Sequence, residues 1–406
     1  VHSGDLQGEP SLAEIVREWG RIGCVGFGGP PAHVALFREL CVERKGWLSD
    51  AAFERAIAAT NLLPGPASTQ LAIYCAWRLR GGWGALLGGL CFIVPGLVLI
   101  LALSALFLAG SPPAWLLGAG RGAGAAVAAV AVRAGVGLAV PIWLRAGRAR
   151  GRVLAYGLAG AVAAALAGPW LVLVLLACGA AELADRRLAG GLGGPHLLSA
   201  PALWRLARAA IDWSSHVRLP LLAAGADPGG TAALVWSSAK VGALAFGGGF
   251  VIVPLLQGDA VGAYHWMTHA QFLNAVALGQ VTPGPVTHTV AAVGYSAEGV
   301  AGGLLAALVA FAPSFSFVLL GARRFERMLV NERVLAFLAG AAPCAAGAIM
   351  GAAIPLTTAL SEAWEFAVLG AAAVSLLVLR RGVVGTLLVA GLAGAVAGGL
   401  GAPIPR

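Results

Sequence analysis

The stretch Leu63-Pro64-Gly65-Pro66 recurs as Thr282-Pro283-Gly284-Pro285 and brings its surroundings with it. At a constant offset of 219, without a gap, Gly23 corresponds to Gly242, Phe27-Gly28-Gly29 to Phe246-Gly247-Gly248, Trp47 to Trp266 and Phe53 to Phe272. One residue is lost after the second Pro-Gly-Pro, and beyond it Gly81 matches Gly299 and Pro95 matches Pro313 at offset 218. A repeat of this length governs the architecture before any local reading. It predicts two halves, 11–184 and 231–402, joined by a cytoplasmic linker at 185–230 that holds a basic amphipathic stretch, Trp204 to Arg218.

Hydrophobic residues make up 59% of the chain and charged residues 11%, with a mean hydropathy of +0.85. Those values exclude a soluble domain of this length and indicate an all-α polytopic membrane protein. Residues 83–109 contain no charge over 27 positions, enough for about 40 Å of helix against a hydrocarbon core of about 30 Å. The 59 glycines, many in Ala/Gly/Leu runs such as 122–132 and 388–400, suit helices that pack closely in lipid through small residues. The net charge of +9 sits largely in short loops between apolar runs. It therefore reads as a topology signal rather than a nucleic-acid surface. Cys24, Cys41, Cys75, Cys91, Cys178 and Cys344 have no CxxC or metal-like spacing and read as apolar packing residues. No basic segment precedes an apolar run at the amino terminus, so no cleavable leader is expected.

In each half a first span should break at Gly-Gly, at 26–29 and 247–249, and the first should restart as helix at Pro30-Pro31. Two short apolar arms then meet at each Pro-Gly-Pro, 49–63 with 66–80 and 268–297 in the second half, and read as re-entrant pairs. Full spans follow near 83–109, 114–144, 153–167 and 169–184, and near 301–320, 333–358, 363–379 and 383–400. The expectation is about ten full transmembrane helices plus two re-entrant pairs with Pro-Gly-Pro tips. An odd number of crossings per half, with the Arg clusters inside and both termini outside, makes this an inverted-topology repeat.

An ionisable residue inside such spans costs at least about 2.5–3.5 kcal/mol and needs a reason. Arg21 and Lys240 are related by the repeat offset, so a cation stands shortly before the Gly-Gly break in both halves. The bland alternative is local pairing, Arg21 with Glu18. Helix amino-terminal ends after Gly28-Gly29, Gly247-Gly248, Pro64-Gly65-Pro66 and Pro283-Gly284-Pro285 supply partial positive charge and free amides. Asn61, Ser68, Thr69, Gln70, Gln280, Thr282, Thr287, His288 and His33 flank these breaks and could complete hydrogen bonds to a small anion, each otherwise a helix cap. The catalytic and metal sets are empty: the spans carry no clustered Asp, His or Glu, and Gly118-x-Gly120-x-Gly122 reads as packing rather than a nucleotide loop. No cofactor is expected.

The motifs Val25-Gly26-Phe27-Gly28-Gly29-Pro30 with His33, Gly46-Trp47-Leu48, Leu62 to Ser68, Phe246 to Gly249, Trp266, and Gln280 to Val286 with Gly294-Tyr295 resemble the chromate ion transporter family across both halves. The resemblance implies a long, two-domain secondary transporter, not an enzyme, of the inner (plasma) membrane that exports chromate and confers resistance, driven by membrane potential or proton coupling. Sulfate is the close analogue. The implied partners are a chromate- or sulfate-like dianion and the lipid bilayer, without nucleic acid; a homodimer is compatible. His288 departs from the small or apolar residue more usual in the family after the second Pro-Gly-Pro. An importer of sulfate or a related oxyanion, and more remotely an intramembrane lipid-processing enzyme, are the alternatives.

Overall fold

The computed structural model describes residues 9–62, 65–108, 113–166, 171–189, 229–245, 252–322 and 331–403, and its regular structure is helical throughout. Helix α1 (Leu12–Val25) starts at Ser11, whose side chain accepts from the Glu14 amide while the Glu14 carboxylate accepts from the Ser11 amide at 2.9 Å. It ends at Gly26. Helix α2 (Pro30–Arg38) restarts at two prolines, whose missing amides are tolerated in a first turn. Between them Gly28 and Gly29 adopt φ of +103° and +74°, a region that a Cβ disfavours. The chain then runs through a π-helical turn (Glu39–Arg44), α3 (Asp50–Leu62), α4 (Ala67–Leu108), α5 (Ala114–Arg145), α6 (Arg150–Leu166) and α7 (Leu171–Ala189). The second half comprises α8 (Thr231–Leu244), α9 (Ile252–Gln257) with a π-helical turn (Gly258–Ala263), α10 (His269–Val281), α11 (Thr289–Gly321), α12 (Glu332–Gly351), α13 (Ala353–Thr358), α14 (Ala363–Ala373) and α15 (Val383–Gly399).

The repeat extends to backbone detail. The π-helical turns Glu39–Arg44 and Gly258–Ala263 fall at the same offset of 219 as the sequence motifs. Helix α4 is interrupted at Arg80 (φ −140°, ψ 25°) and Gly81 (φ 59°, ψ −148°), and α11 at Glu298 (φ −142°, ψ 32°) and Gly299 (φ 63°, ψ −152°). These are fold-backs rather than gentle bends. A Cβ on Gly84 would lie 2.3 Å from the Ala76 carbonyl oxygen, whereas eight residues of straight helix span about 12 Å.

The expected ten crossings are not what the structure contains. Among the described residues four helical segments are long and apolar enough to cross a membrane: Ala67–Leu108, Ala114–Arg145, Val286–Gly321 and Glu332–Thr358. Counting every apolar run as a span overcounts because several runs make short helices, such as Ile252–Ala263, Ala363–Val378 and Val383–Gly399. At 1.5 Å per residue, a helix of 17 residues reaches only about 25 Å. The Pro-Gly-Pro corners are not re-entrant tips either. The arm after each corner belongs to a long apolar helix, Ala67–Leu108 in the first half and Val286–Gly321 in the second, instead of forming a short separate arm. The inverted topology and the placement of both termini outside rested on the crossing count and fall with it. The stretch Trp204 to Arg218 lies outside the described residues.

Glycine contacts join the outer helices of the two halves. Gly118 and Gly122 of α5 face Gly394 and Ala390 of α15, so the Gly-x-Gly-x-Gly run is a packing surface. Helix α6 meets α12 so closely that a Cβ on Gly160 would lie 1.9 Å from Cys344 O, and one on Gly347 would lie 1.8 Å from Gly157 O. In lipid, where apolar surface alone does not drive helices together, such backbone approach supplies the dispersion contact. Gly347→Val should therefore lower the thermal midpoint by at least the equivalent of about 1–3 kcal/mol. Gly137→Ala, with nothing within 4 Å, should be neutral or stabilising by up to about 1 kcal/mol. Fluorescence melts of the two purified variants check this, and equal shifts would contradict the packing account.

Candidate functional site

The two halves meet at their helix breaks, each corner seated in the other half. Gly284 donates its amide to Gly26 O at 2.9 Å. The same corner lies against α4, where a Cβ on Gly96 would fall 2.1 Å from Pro283 O and 2.8 Å from His288 Nδ1. Reciprocally, Gly65 (φ +122°) faces Ser314 Oγ of α11 and the Gly242 carbonyl of α8. Gly29 completes the junction with Val286 as its neighbour across the halves. Pro95 of α4 has no amide to offer the Cys91 carbonyl, and Gly23 of α1 packs onto that carbonyl and the next, at 2.7 and 2.9 Å from its ideal Cβ.

Around this junction the interior is polar and underbonded. His33, Thr69, Gln280, Thr282, Thr287, His288, Ser238 and Ser314 are buried, and each has a side-chain nitrogen or oxygen without a hydrogen-bond partner. An unmade buried hydrogen bond costs about 1–3 kcal/mol, and these groups together make the junction the candidate site. Ser68 is buried beside Thr69, and the Pro66 carbonyl accepts the Gln70 amide at 3.0 Å, starting α4. Rings close the junction at its sides: His33 stands edge-on to Phe92 at 5.1 Å and His288 to Phe311 at 5.4 Å.

The repeat-related cations are both paired. Glu18 is nearly buried and faces three arginines, Arg44 at 2.5 Å, Arg17 at 3.6 Å and Arg21 at 3.8 Å, with Arg21 about half exposed. Lys240 is 12% exposed and holds Asp259 by two contacts of 2.7 and 2.8 Å, while Ser237 donates to the same carboxylate at 2.6 Å. The acidic partner of Lys240 stands 19 residues away, beyond the break, so sequence proximity does not reveal it. Ser314 was also missed; it is the offset-218 counterpart of Gly96 and directly follows Pro313, a register signal that could have singled it out. Gly247, Gly248 and Pro64 lie outside the described residues, as does the side chain of Asn61.

The chromate transporter family model matches residues 13–183 and again 232–399. The chain belongs to that family. It is 31% identical to the chromate transport protein of Cupriavidus metallidurans over 94% of this chain and 92% of the relative. It is 30% identical to that of Pseudomonas aeruginosa over 87% and 82%, and 27% identical to a probable chromate transport protein of Synechococcus elongatus over 85% and 84%. No solved structure matches. Family membership makes the chain a multi-pass, membrane-embedded secondary transporter for oxyanions rather than an enzyme.

Removing one member of a buried ion pair strands the other charge, at about 3–5 kcal/mol. Asp259→Asn should therefore destabilise the protein on that scale, whereas Arg21→Gln, at a half-exposed pair, should cost under about 1 kcal/mol. Denaturant or thermal midpoints of both variants test the contrast; a small effect at Asp259 would show that Lys240 reaches solvent.

Proposed function

We propose that this protein exports chromate across the inner membrane and that the dianion is held where the helix breaks of the two halves meet. The observation that carries the reading is the cluster of buried, underbonded polar groups at that junction, bounded by the amino-terminal ends of α2 and α4. Those ends offer partial positive charge, and Thr69, Thr287, Ser314, Gln280 and His288 offer hydrogen-bond groups on several sides. A dianion leaving water needs more compensation than helix ends supply. Arg21 and Lys240 provide it by exchanging their carboxylates, Glu18 and Asp259, in part for the substrate. The chromate named in the relatives' descriptions fits a site of this polarity.

The energetics favour that direction. A dianion moving outward down an inside-negative potential of about 100 mV releases roughly 4.6 kcal/mol, twice the single-charge value. Inverted vesicles should accumulate chromate faster when their interior is made positive, with sulfate as a weaker competitor. Flux that ignores the imposed potential, or that runs only in the direction of cellular import, would replace the export reading with that of a coupled oxyanion importer.

The site itself is tested by variants that keep charge balance. Lys240→Gln combined with Asp259→Asn leaves no stranded charge, so the fold should survive while chromate affinity falls by at least about tenfold, or 1.4 kcal/mol. Arg21→Gln should weaken binding in the same direction, and Arg21→Lys less so. Gly28→Leu, forced into a φ of +103° where backbone amides must approach the anion, should abolish flux. Unchanged affinity in both charge variants, measured with melting temperature on the same preparations, would remove the two cations from the site.

A further inference from the structure

A carbonyl oxygen accepts hydrogen bonds and cannot donate one. The 2.9 Å contact between His33 Nε2 and Gly26 O therefore fixes the imidazole proton on Nε2. The same carbonyl takes the Gly284 amide on its second lone pair, so the ring is tied to the very contact that joins the halves. It is fully buried, with Phe92 edge-on at 5.1 Å. In this tautomer Nδ1 bears a lone pair, and Nδ1 has no partner. A histidine satisfied in a protein core would spend that lone pair on a nearby donor. This one holds it unspent at the junction assigned above to the oxyanion.

A bare Nδ1 cannot receive a dianion, because both present only lone pairs. Protonation at Nδ1 turns the ring into a cation that donates on both sides without giving up its bond to Gly26. The surroundings offer no other counter-charge. Helix α1 presents the Gly26 carbonyl, α4 presents Phe92, and the second half presents Val286 beside Gly29 together with His288, the ionisable group close enough to interact electrostatically with His33. Among the described residues no carboxylate, Lys or Arg bonds to His33. A proton placed there has the bound anion as its counter-ion, so the two are stabilised together and lost together. His288 stands in the other half, beside the Ile93 carbonyl and edge-on to Phe311. A neutral imidazole already carries one N–H that can meet an anion without taking up a proton.

We propose that His33 binds a proton on Nδ1 each time the oxyanion occupies the junction, making it a proton site linked to substrate binding. This rests on the oxyanion reading of the junction and names the group within it that titrates. The balance is simple: one proton passes from solvent to Nδ1, no covalent bond of the anion changes, and the loaded site carries one negative charge fewer than the dianion alone.

The test is calorimetric titration of the purified full-length protein with chromate, on the alkaline side of neutrality where chromate itself is a dianion. Buffers of different ionisation enthalpy count the protons taken up. The wild type should take up about one proton per anion, and Kd should rise by about tenfold per pH unit once free His33 is neutral. His33→Gln should bind more weakly, with no uptake and a flat pH profile, while His288→Gln should bind more weakly but keep the uptake. Chromate binding by the wild type without proton uptake overturns the proposal and leaves the oxyanion site standing, independently of whether any variant folds. Uptake that persists in His33→Gln also overturns it. Failure of folded wild type to bind chromate at all removes the oxyanion reading and this inference with it.

Discussion

The hydrogen bond from the Gly284 amide to the Gly26 carbonyl ties the second half's Pro-Gly-Pro corner to the point where the first half's opening helix stops. Its acceptor is available because α1 ends there. Its donor is available because Gly284, at φ +90°, turns the chain between two residues that have no amide of their own. Each feature looks like a local defect in a helix. Together they leave unsatisfied backbone groups on both sides of one contact, and burial between two halves lets those groups satisfy each other.

The repeat makes the seating reciprocal without making the halves identical. Gly65 rests against Gly242 and Ser314 as Gly284 rests against the Gly26 to Gly96 region, but position 70 is Gln where position 288 is His, and position 96 is Gly where position 314 is Ser. The ion pairs diverge in the same way. Glu18 and its three arginines form a half-open, net-positive cluster, whereas Lys240, Asp259 and Ser237 form a closed, neutral one.

Small residues carry the remaining structure. The outer helices interlock through Gly157, Gly160, Gly347 and Gly351, with backbone oxygen atoms where side chains would otherwise stand. At the junction, by contrast, buried polar side chains are left without hydrogen-bond partners of their own. Buried Arg121 is held by an ion pair, although its Nη1 has no hydrogen-bond partner. It pairs with Glu365 at 3.0 Å and reaches Ser361 at 3.2 Å, while the second Glu365 oxygen is bonded to the Ser361 and Glu362 amides. That acid is thereby committed to stabilising the α5–α14 contact and the start of α14.

The sequence by itself determined the membrane class, the two-fold repeat, the helix break at Gly26 to Pro30 and the family, because these follow from composition, register and local backbone preference. Gly28-Gly29 before Pro30-Pro31 can stop and restart a helix in any surroundings. Tertiary structure alone decided how many apolar runs become membrane-length helices, since hydrophobicity reports burial in lipid and in protein alike and does not register the fold-backs at Gly81 and Gly299. It alone supplied Asp259 as the partner of Lys240 and set the Gly26 carbonyl between His33 and Gly284. Those pairings join residues separated by a break or by most of the chain, and the distance between them depends on how the helices pack rather than on any preference of the residues themselves.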